Sequence, residues 1–291
     1  MPATVRTAKK LLLGREIAHM IERTGVSQGE AAKLIETSQS RIALLINGGG
    51  SISPGDLVML AGKLGFEDEG YKEALLELRR DNHKRGFWRT GHNRAYSEDL
   101  RLLVDLEKHT DQIRSAQVEV VPGLLQSEPY VRAQHAEQPG SDDVSLEDRI
   151  AARLARQDIL DKADPPAVQF VLSESCLRRT CGDAEVMRAQ IDYLIKLSKR
   201  PNVMLQVMPF GQPAGQRSPI KSPFTMIHVP SPGAAGPLEL VYVEGEGEIR
   251  YLDDKKALAA HEAAWARVSN AALRFEETRN FLKSVLQDFR K

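Results

Sequence analysis

Apolar side chains recur at helical spacing from residue 7 to residue 80, and beyond that alternating and helical runs are mixed. Thr7 to Arg23 turns Leu11, Leu12, Ile17, Ala18 and Ile21 toward one face, and Gly25 just past its end is a stop signal. Val26 to Gly48 divides into two short helices. Gln28 opens the first, with Ala31, Ala32 and Leu34 or Ile35 facing inward, and Glu36 and Thr37 make the turn. Ser38 is the expected N-cap of the second, its oxygen taking an otherwise unpaired backbone N–H. Ile42, Leu45 and Ile46 then fall at the i, i+3, i+4 spacing that buries one stripe, leaving Gln39, Ser40 and Ala43 outward. After the Gly48-Gly49-Gly50 loop, Ser53 caps a helix with Pro54 in its first turn, Leu57, Leu60, Ala61 and Leu64 as its stripe, and Gly65 at its end. Glu69 to Arg80 supplies a fifth helix.

Two short helices around a tight turn, the second opening on small polar side chains, have the layout of a helix-turn-helix, whose second helix enters the major groove of DNA. The chemistry suits the position. The Gln39 carboxamide can pair with adenine N6 and N7, and Arg41 can reach guanine or a phosphate. Ser38 and Ser40 flank Gln39, while Gln28 and Lys33 are placed to position the phosphate backbone. The alternative is a plain helical bundle with Gln39 and Ser40 as ordinary solvated residues. The five-helix unit resembles the XRE-type (lambda-repressor-like) DNA-binding domain over residues 7–65. Where such domains often carry an acidic residue followed by x-Gly after the recognition helix, Ile46-Asn47-Gly48 stands here.

Charge changes the picture through its distribution. The chain is neutral overall, with 40 basic and 40 acidic side chains. Residues 1–65, however, hold eight Lys or Arg against five Asp or Glu, and residues 79–94 hold six against Asp81 alone. Phosphate neutralisation drives non-specific DNA affinity, so a mildly basic head and a basic strap suit salt-sensitive binding strengthened by dimerisation. Arg85 and Arg89 are candidate non-specific DNA contacts. Residues 81–97 read as a basic linker, in which Phe87 and Trp88 dock onto one domain or stack on bases.

At 291 residues the chain has room for two domains, and 42% apolar with 27% charged residues is an ordinary globular composition. No apolar run is long enough to span a bilayer and the N-terminus lacks a signal-peptide pattern, so a cytoplasmic protein is expected. Cys176 and Cys181 read as buried reduced thiols rather than a disulfide framework.

Residues 98–291 are expected to form an α+β domain, so the fold class is an all-α N-terminal helix-turn-helix domain (residues 1–80) plus an α+β C-terminal domain. Helices are expected over residues 97–110, after Ser127, from Ser145 to Lys162, from Asp183 through Leu197, and over most of 255–291 with a break near Ser269-Asn270. Strands are expected at 118–121, 168–172, 203–207, 224–229, 238–243 and 248–252, the last two joined by a hairpin at Gly245-Glu246-Gly247.

This region resembles the C-terminal domain of WhiJ-type, antitoxin-like XRE regulators over residues 97–285. Val121-Pro-Gly-Leu-Leu-Gln126 followed by Tyr130-Val-Arg132 looks like that family's PGLLQ-x-x-x-Y-x-R signature. Arg153-Leu-Ala-Arg156-Gln157 looks like its R-x-x-RQ helix. Glu174 to Arg179, Gln190, Val207 to Phe210, Pro223-Phe224 and Val241 to Glu244 come after it in order. The resemblance implies a transcriptional regulator, usually a repressor, often working with a small protein encoded beside it.

Catalytic chemistry finds no support. Gly245-Glu-Gly247 lacks phosphate-loop spacing, the seven histidines have no metal-ligand spacing, and Ser173-Glu174-Ser175 lacks a nucleophile elbow. Neither metal nor cofactor is expected. Glu174 and Glu244, after strand ends, either share a crevice or form salt bridges to Arg153 or Arg156. Leu124, Leu125, Tyr130, Phe210 and Phe224 either line a partner or ligand cleft with those two carboxylates or are core corners. The resulting expectation is a dimeric DNA-binding repressor reading a palindromic operator, controlled by a small protein partner or ligand. A protein-binding module that sequesters a partner is the alternative, and a small-molecule sensor the third.

Overall fold

The computed structural model describes residues 6–81, 95–136, 144–211 and 220–289. They fall into two compact units. Of the described residues, the first comprises 6–81, 98–109 and 229–238, and the second 95–97, 110–136, 144–211, 220–228 and 239–289.

In the first unit, α1 (Ala8–Thr24), α2 (Gln28–Leu34), α3 (Gln39–Ile46), α4 (Pro54–Lys63) and α5 (Glu69–Asp81) are joined by α6 (Glu98–His109). Local chemistry sets the ends. The side chains of Thr7, Ser27, Ser38 and Ser53 each accept a first-turn amide, and Gly25 closes α1 in the left-handed conformation at φ 71°. Ser27 and Glu30 add a reciprocal capping box to α2. Ile17, Met20, Ile42, Leu57, Leu60, Leu75, Leu78 and Leu106 are fully buried. On α1 the buried face also takes Leu13, Gly14 and Glu16, whereas Leu11 and Ala18, expected in the core, are only partly covered. Ile46 is likewise partly exposed.

The second unit is a six-stranded sheet ordered β3-β2-β1-β4-β5-β6. Its strands are β1 (Gln112–Gln117), β2 (Ala167–Ser173), β3 (Val203–Met208), β4 (Phe224–Val229), β5 (Leu238–Gly245) and β6 (Glu248–Leu252). β1, β2 and β3 run parallel, β4 pairs antiparallel with β1, and β5 and β6 form an antiparallel hairpin. Gly247, at φ 74°, supplies the turn of that hairpin.

Alternation divides the sheet faces. Ile113, Val168, Phe170, Leu172, Val203, Leu205 and Val207 belong to one core, shared with Met187, Ile191 and Leu194 of α10 (Ala184–Leu197) and Leu282 and Val285 of α12 (Phe275–Asp288). Tyr130 of α7 (Glu128–Ala136) joins them. Ala116, Val171, Phe224, Met226 and Val241 point the other way, onto Trp265 and Val268 of α11 (Lys255–Ala271). Helices thus cover both faces, and α8 (Leu146–Gln157) and the short α9 (Ser175–Arg178) complete the parallel crossovers.

Several expectations are corrected. The first strand is 112–117, not 118–121. Its run Gln-Ile-Arg-Ser-Ala-Gln lacks an apolar alternation because Ser115 is buried through a 2.9 Å hydrogen bond to Thr225 Oγ1, while Arg114 leaves the core for Glu262. The helix opened by Ser145 ends at Gln157 and tightens into a 3-10 turn over Asp158–Asp161 instead of running to Lys162. Ser145 Oγ donates to Asp148 Oδ2 while accepting its amide, so the second half of the box is replaced by a side-chain contact. Ser127 stands at the start of α7, but its hydroxyl makes no hydrogen bond. The break in the last helical stretch falls at 272–274. The partition also differs from the one expected at residue 98, since α6 and the β4–β5 loop belong with the N-terminal helices.

Candidate nucleic-acid interface

The α2–α3 pair is built around one unusual turn. Glu36 has φ 50°, the one positive value at a non-glycine among the described residues, and it lets the Thr37 amide reach back 2.9 Å to the Ala32 carbonyl. That bond closes α2 in the way glycine usually does. The chain then re-enters a helix at Ser38, whose Oγ accepts the Arg41 amide at 3.3 Å and lies 2.9 Å from Ser40 Oγ. Ile42 and Leu45 bury one side of α3, so Gln39, Ser40 and Arg41 are left exposed on its first turn. Gln39 leans toward α2, where a Cβ added to Gly29 would stand 3.7 Å from its Oε1. Lys33 is exposed and Gln28 partly so.

The loop after α3 is fixed by cations. Arg6 Nε donates to the Asn47 carbonyl at 3.1 Å, Arg41 to Ser51 at 3.3 Å and Arg79 Nε to Ile52 at 2.6 Å. Asn47 closes α3 by donating its side-chain amide to Ala43 O at 2.8 Å. Gly48 takes φ 69° against Leu11, whose Cδ2 would meet an added Cβ at 2.9 Å. Sequence reasoning notes Asn47 only as a departure from the XRE pattern and Arg79 only as strap charge, and it misses Arg6 and the part all three play in holding this loop. An arginine at a helix end facing a glycine-rich loop is the signal that could have found them. Arg41 differs from expectation in one respect, since its guanidinium also holds the loop. Arg85 and Arg89 lie outside the described residues.

The cleft residues do not converge. Leu124, Leu125 and Tyr130 are core on one face of the sheet and Phe224 is core on the other, where it meets the His261 ring edge-on. Burial pushes the Tyr130 hydroxyl up to about 12. Glu174 pairs with Arg178, not with Arg153 or Arg156, and its Oε2 accepts the Phe210 amide at 2.8 Å. Phe210 itself is 65% exposed. Glu244 is exposed and accepts from the Tyr242 hydroxyl. Three strand steps separate β2, which runs into Glu174, from β5, which carries Glu244.

The segments quoted as motifs do meet. Gln157 donates to the carbonyls of both Gly123 and Gln126 at 2.8 Å. A Cβ on Gly123 would stand 2.4 Å from Arg153 and 3.2 Å from Arg156. Gln190 completes the cradle by donating to Leu125 O at 2.8 Å and accepting the Ser127 amide at 2.7 Å. Their common role is to fix the 121–127 turn. Among the described residues no group of histidine, cysteine or carboxylate side chains has a metal-holding arrangement, and no helix is long and apolar enough to cross a membrane.

No curated protein and no solved structure matches the chain. A family model described as a domain of unknown function, DUF5753, matches residues 100–284. That match spans more than half of the sequence, and the chain therefore belongs to the DUF5753 family.

Proposed function

We propose that the protein is a sequence-specific DNA-binding transcriptional regulator, a cytoplasmic dimeric repressor whose α2 and α3 form a helix-turn-helix. The observation that carries this reading is the first turn of α3. Gln39, Ser40 and Arg41 are polar and exposed on a helix that Ile42 and Leu45 anchor from behind. A rigid helix presenting a carboxamide, a hydroxyl and a guanidinium from one end suits the donor and acceptor pattern of the major groove. Lys33, Arg6 and Arg41 add exposed cations for the phosphates on either side. Each protomer reads one half-site, with half-sites about one helical turn (~34 Å) apart. The DUF5753 region controls the head through a small protein or ligand, and the resemblance to WhiJ-type regulators supports this division of labour.

Selection of bound duplexes from a random pool tests the reading. A palindromic consensus is expected, and recovery of no enriched sequence at moderate salt would overturn it. A second reading, a module that sequesters a small protein partner, is favoured by Phe210, a large exposed ring whose backbone is held by Glu174. Partner-independent operator binding supports the first reading, and binding to DNA only as a consequence of partner capture supports the second.

A further inference from the structure

Glu16 places a carboxylate in the apolar stripe of α1, between Leu12 and Met20, and it is 0% exposed. A buried charge needs full compensation. The loop Val229–Leu238 supplies most of it. Ser231 Oγ donates to Oε1 at 3.1 Å, the Ala234 amide to Oε2 at 3.0 Å, and the Ala235 amide reaches both oxygens at 3.1 Å. From α5, the Tyr71 hydroxyl donates to Oε2 at 2.9 Å. Burial first, and the Glu16 charge second, push that hydroxyl far above the ordinary phenol range, so it stays a donor. Gly233 lets the loop come this close, since a Cβ there would stand 2.2 Å from Glu16 Oε1. The next peptide is held as well, the Ala235 carbonyl accepting from Arg15 at 3.3 Å.

The same stretch of α1 touches α3. A Cβ on Gly14 would lie 2.3 Å from the Ile46 carbonyl oxygen and 2.7 Å from that of Leu45. The contact to the end of α3 and the clasp on the loop are therefore two residues apart on one helix, whose hydrogen-bonded backbone links them.

We propose that the Val229–Leu238 loop is a regulatory latch: seated on Glu16, it fixes α1 against the end of α3, and its release frees α3 to shift. The loop is the connection between β4 and β5, so a rearrangement of those strands reaches α1 along the chain itself. The latch stands whatever α3 contacts, and only its consequence for DNA rests on the function proposed above.

Hydrogen exchange read by mass spectrometry on the full chain tests it, with Gly233→Ala and Glu16→Gln as latch variants. Gly245→Ala is the control, because its added Cβ meets nothing within 4 Å. Both latch variants should speed exchange about tenfold in residues 230–236 and in the last turn of α3, with the control unchanged. A faster loop beside an α3 protected as in the wild type overturns the proposal, as does unchanged exchange in both segments. Should Glu16→Gln unfold the head, Gly233→Ala decides, because it leaves α1 intact. Duplex affinity separates the two readings. Coupled exchange in a protein that binds no duplex leaves the latch standing and removes the DNA function. Sequence-specific binding with uncoupled exchange does the reverse.

Discussion

Gly14 of α1 and Ile46 of α3 meet backbone to backbone, with room for no side chain between them. The obstructing atoms are carbonyl oxygens at a helix end, which cannot rotate away as a side chain could. Gly14→Ala should therefore cost about 1–3 kcal/mol despite alanine's better helix propensity. Urea denaturation gives the value, and a stabilised variant would disprove the contact.

Glu36→Gly should act in the opposite direction. The left-handed backbone at φ 50° strains any residue with a Cβ, and the exposed Glu36 side chain leaves little to lose. Relief of the strain exceeds the extra chain entropy of glycine, for a net gain of about 0.5–1 kcal/mol in the same denaturation experiment.

The capping box of α2 makes its contribution depend on pH. The Ser27 amide and hydroxyl both donate to Glu30 at 2.7 Å and hold its carboxyl below the usual carboxylate range. A depressed folded-state value means stability that is present above the ordinary carboxylate pKa and lost as pH falls through the folded one. The stability difference between the wild type and Ser27→Ala should thus shrink on acidification through that range. A difference that stays constant with pH would show that the contact between Ser27 and the Glu30 carboxylate adds nothing to stability.

Gln157→Leu would strip the 121–127 turn of the amide that serves two carbonyls. Leaving the buried Gln126 carbonyl bare costs about 1–3 kcal/mol, the half-buried Gly123 carbonyl adds less, and the Tyr193 hydroxyl loses the acceptor it reaches at 3.2 Å. Gln157→Leu should lower the melting temperature well beyond an exposed control such as Lys256→Leu. Equal melting temperatures would mean that the turn is held without it.

On DNA, Gln39→Ala should cost about 1–3 kcal/mol on the selected operator and little on random duplex, whereas Arg6→Ala should weaken both alike. Competition binding over a salt series reads the difference. Equal losses from both variants on both duplexes would end the assignment of Gln39 to base reading.

The helix ends of the head are legible in the sequence because capping is local chemistry: Ser38, Ser53 and Gly25 act on amides and carbonyls within a few residues. The strands at 224–229 and 248–252 are legible for a similar reason, the first as a short apolar run bounded by Pro223 and Pro230 and the second by the glycine turn before it. β1 escapes because its apolar share is Ile113 and Ala116 alone, and Ser115 becomes a core residue only once Thr225 lies opposite it. The cleft dissolves for the same reason. Leu124 and Phe224 are both apolar corners in sequence, but the turn carrying Leu124 packs into the core on one face of the sheet while the pleat of β4 sends Phe224 into the core on the other.

By itself the sequence determined the helices of the head, the exposed polar opening of α3 and the mixed helix and strand character of residues 98–291, all set by interactions within a few residues. Tertiary structure alone decided that residues 229–238 close over Glu16, more than two hundred positions earlier in the chain. A carboxylate in an apolar stripe says only that it needs donors. Which distant amides answer depends on how the β4–β5 connection returns to α1, and no local pattern records that.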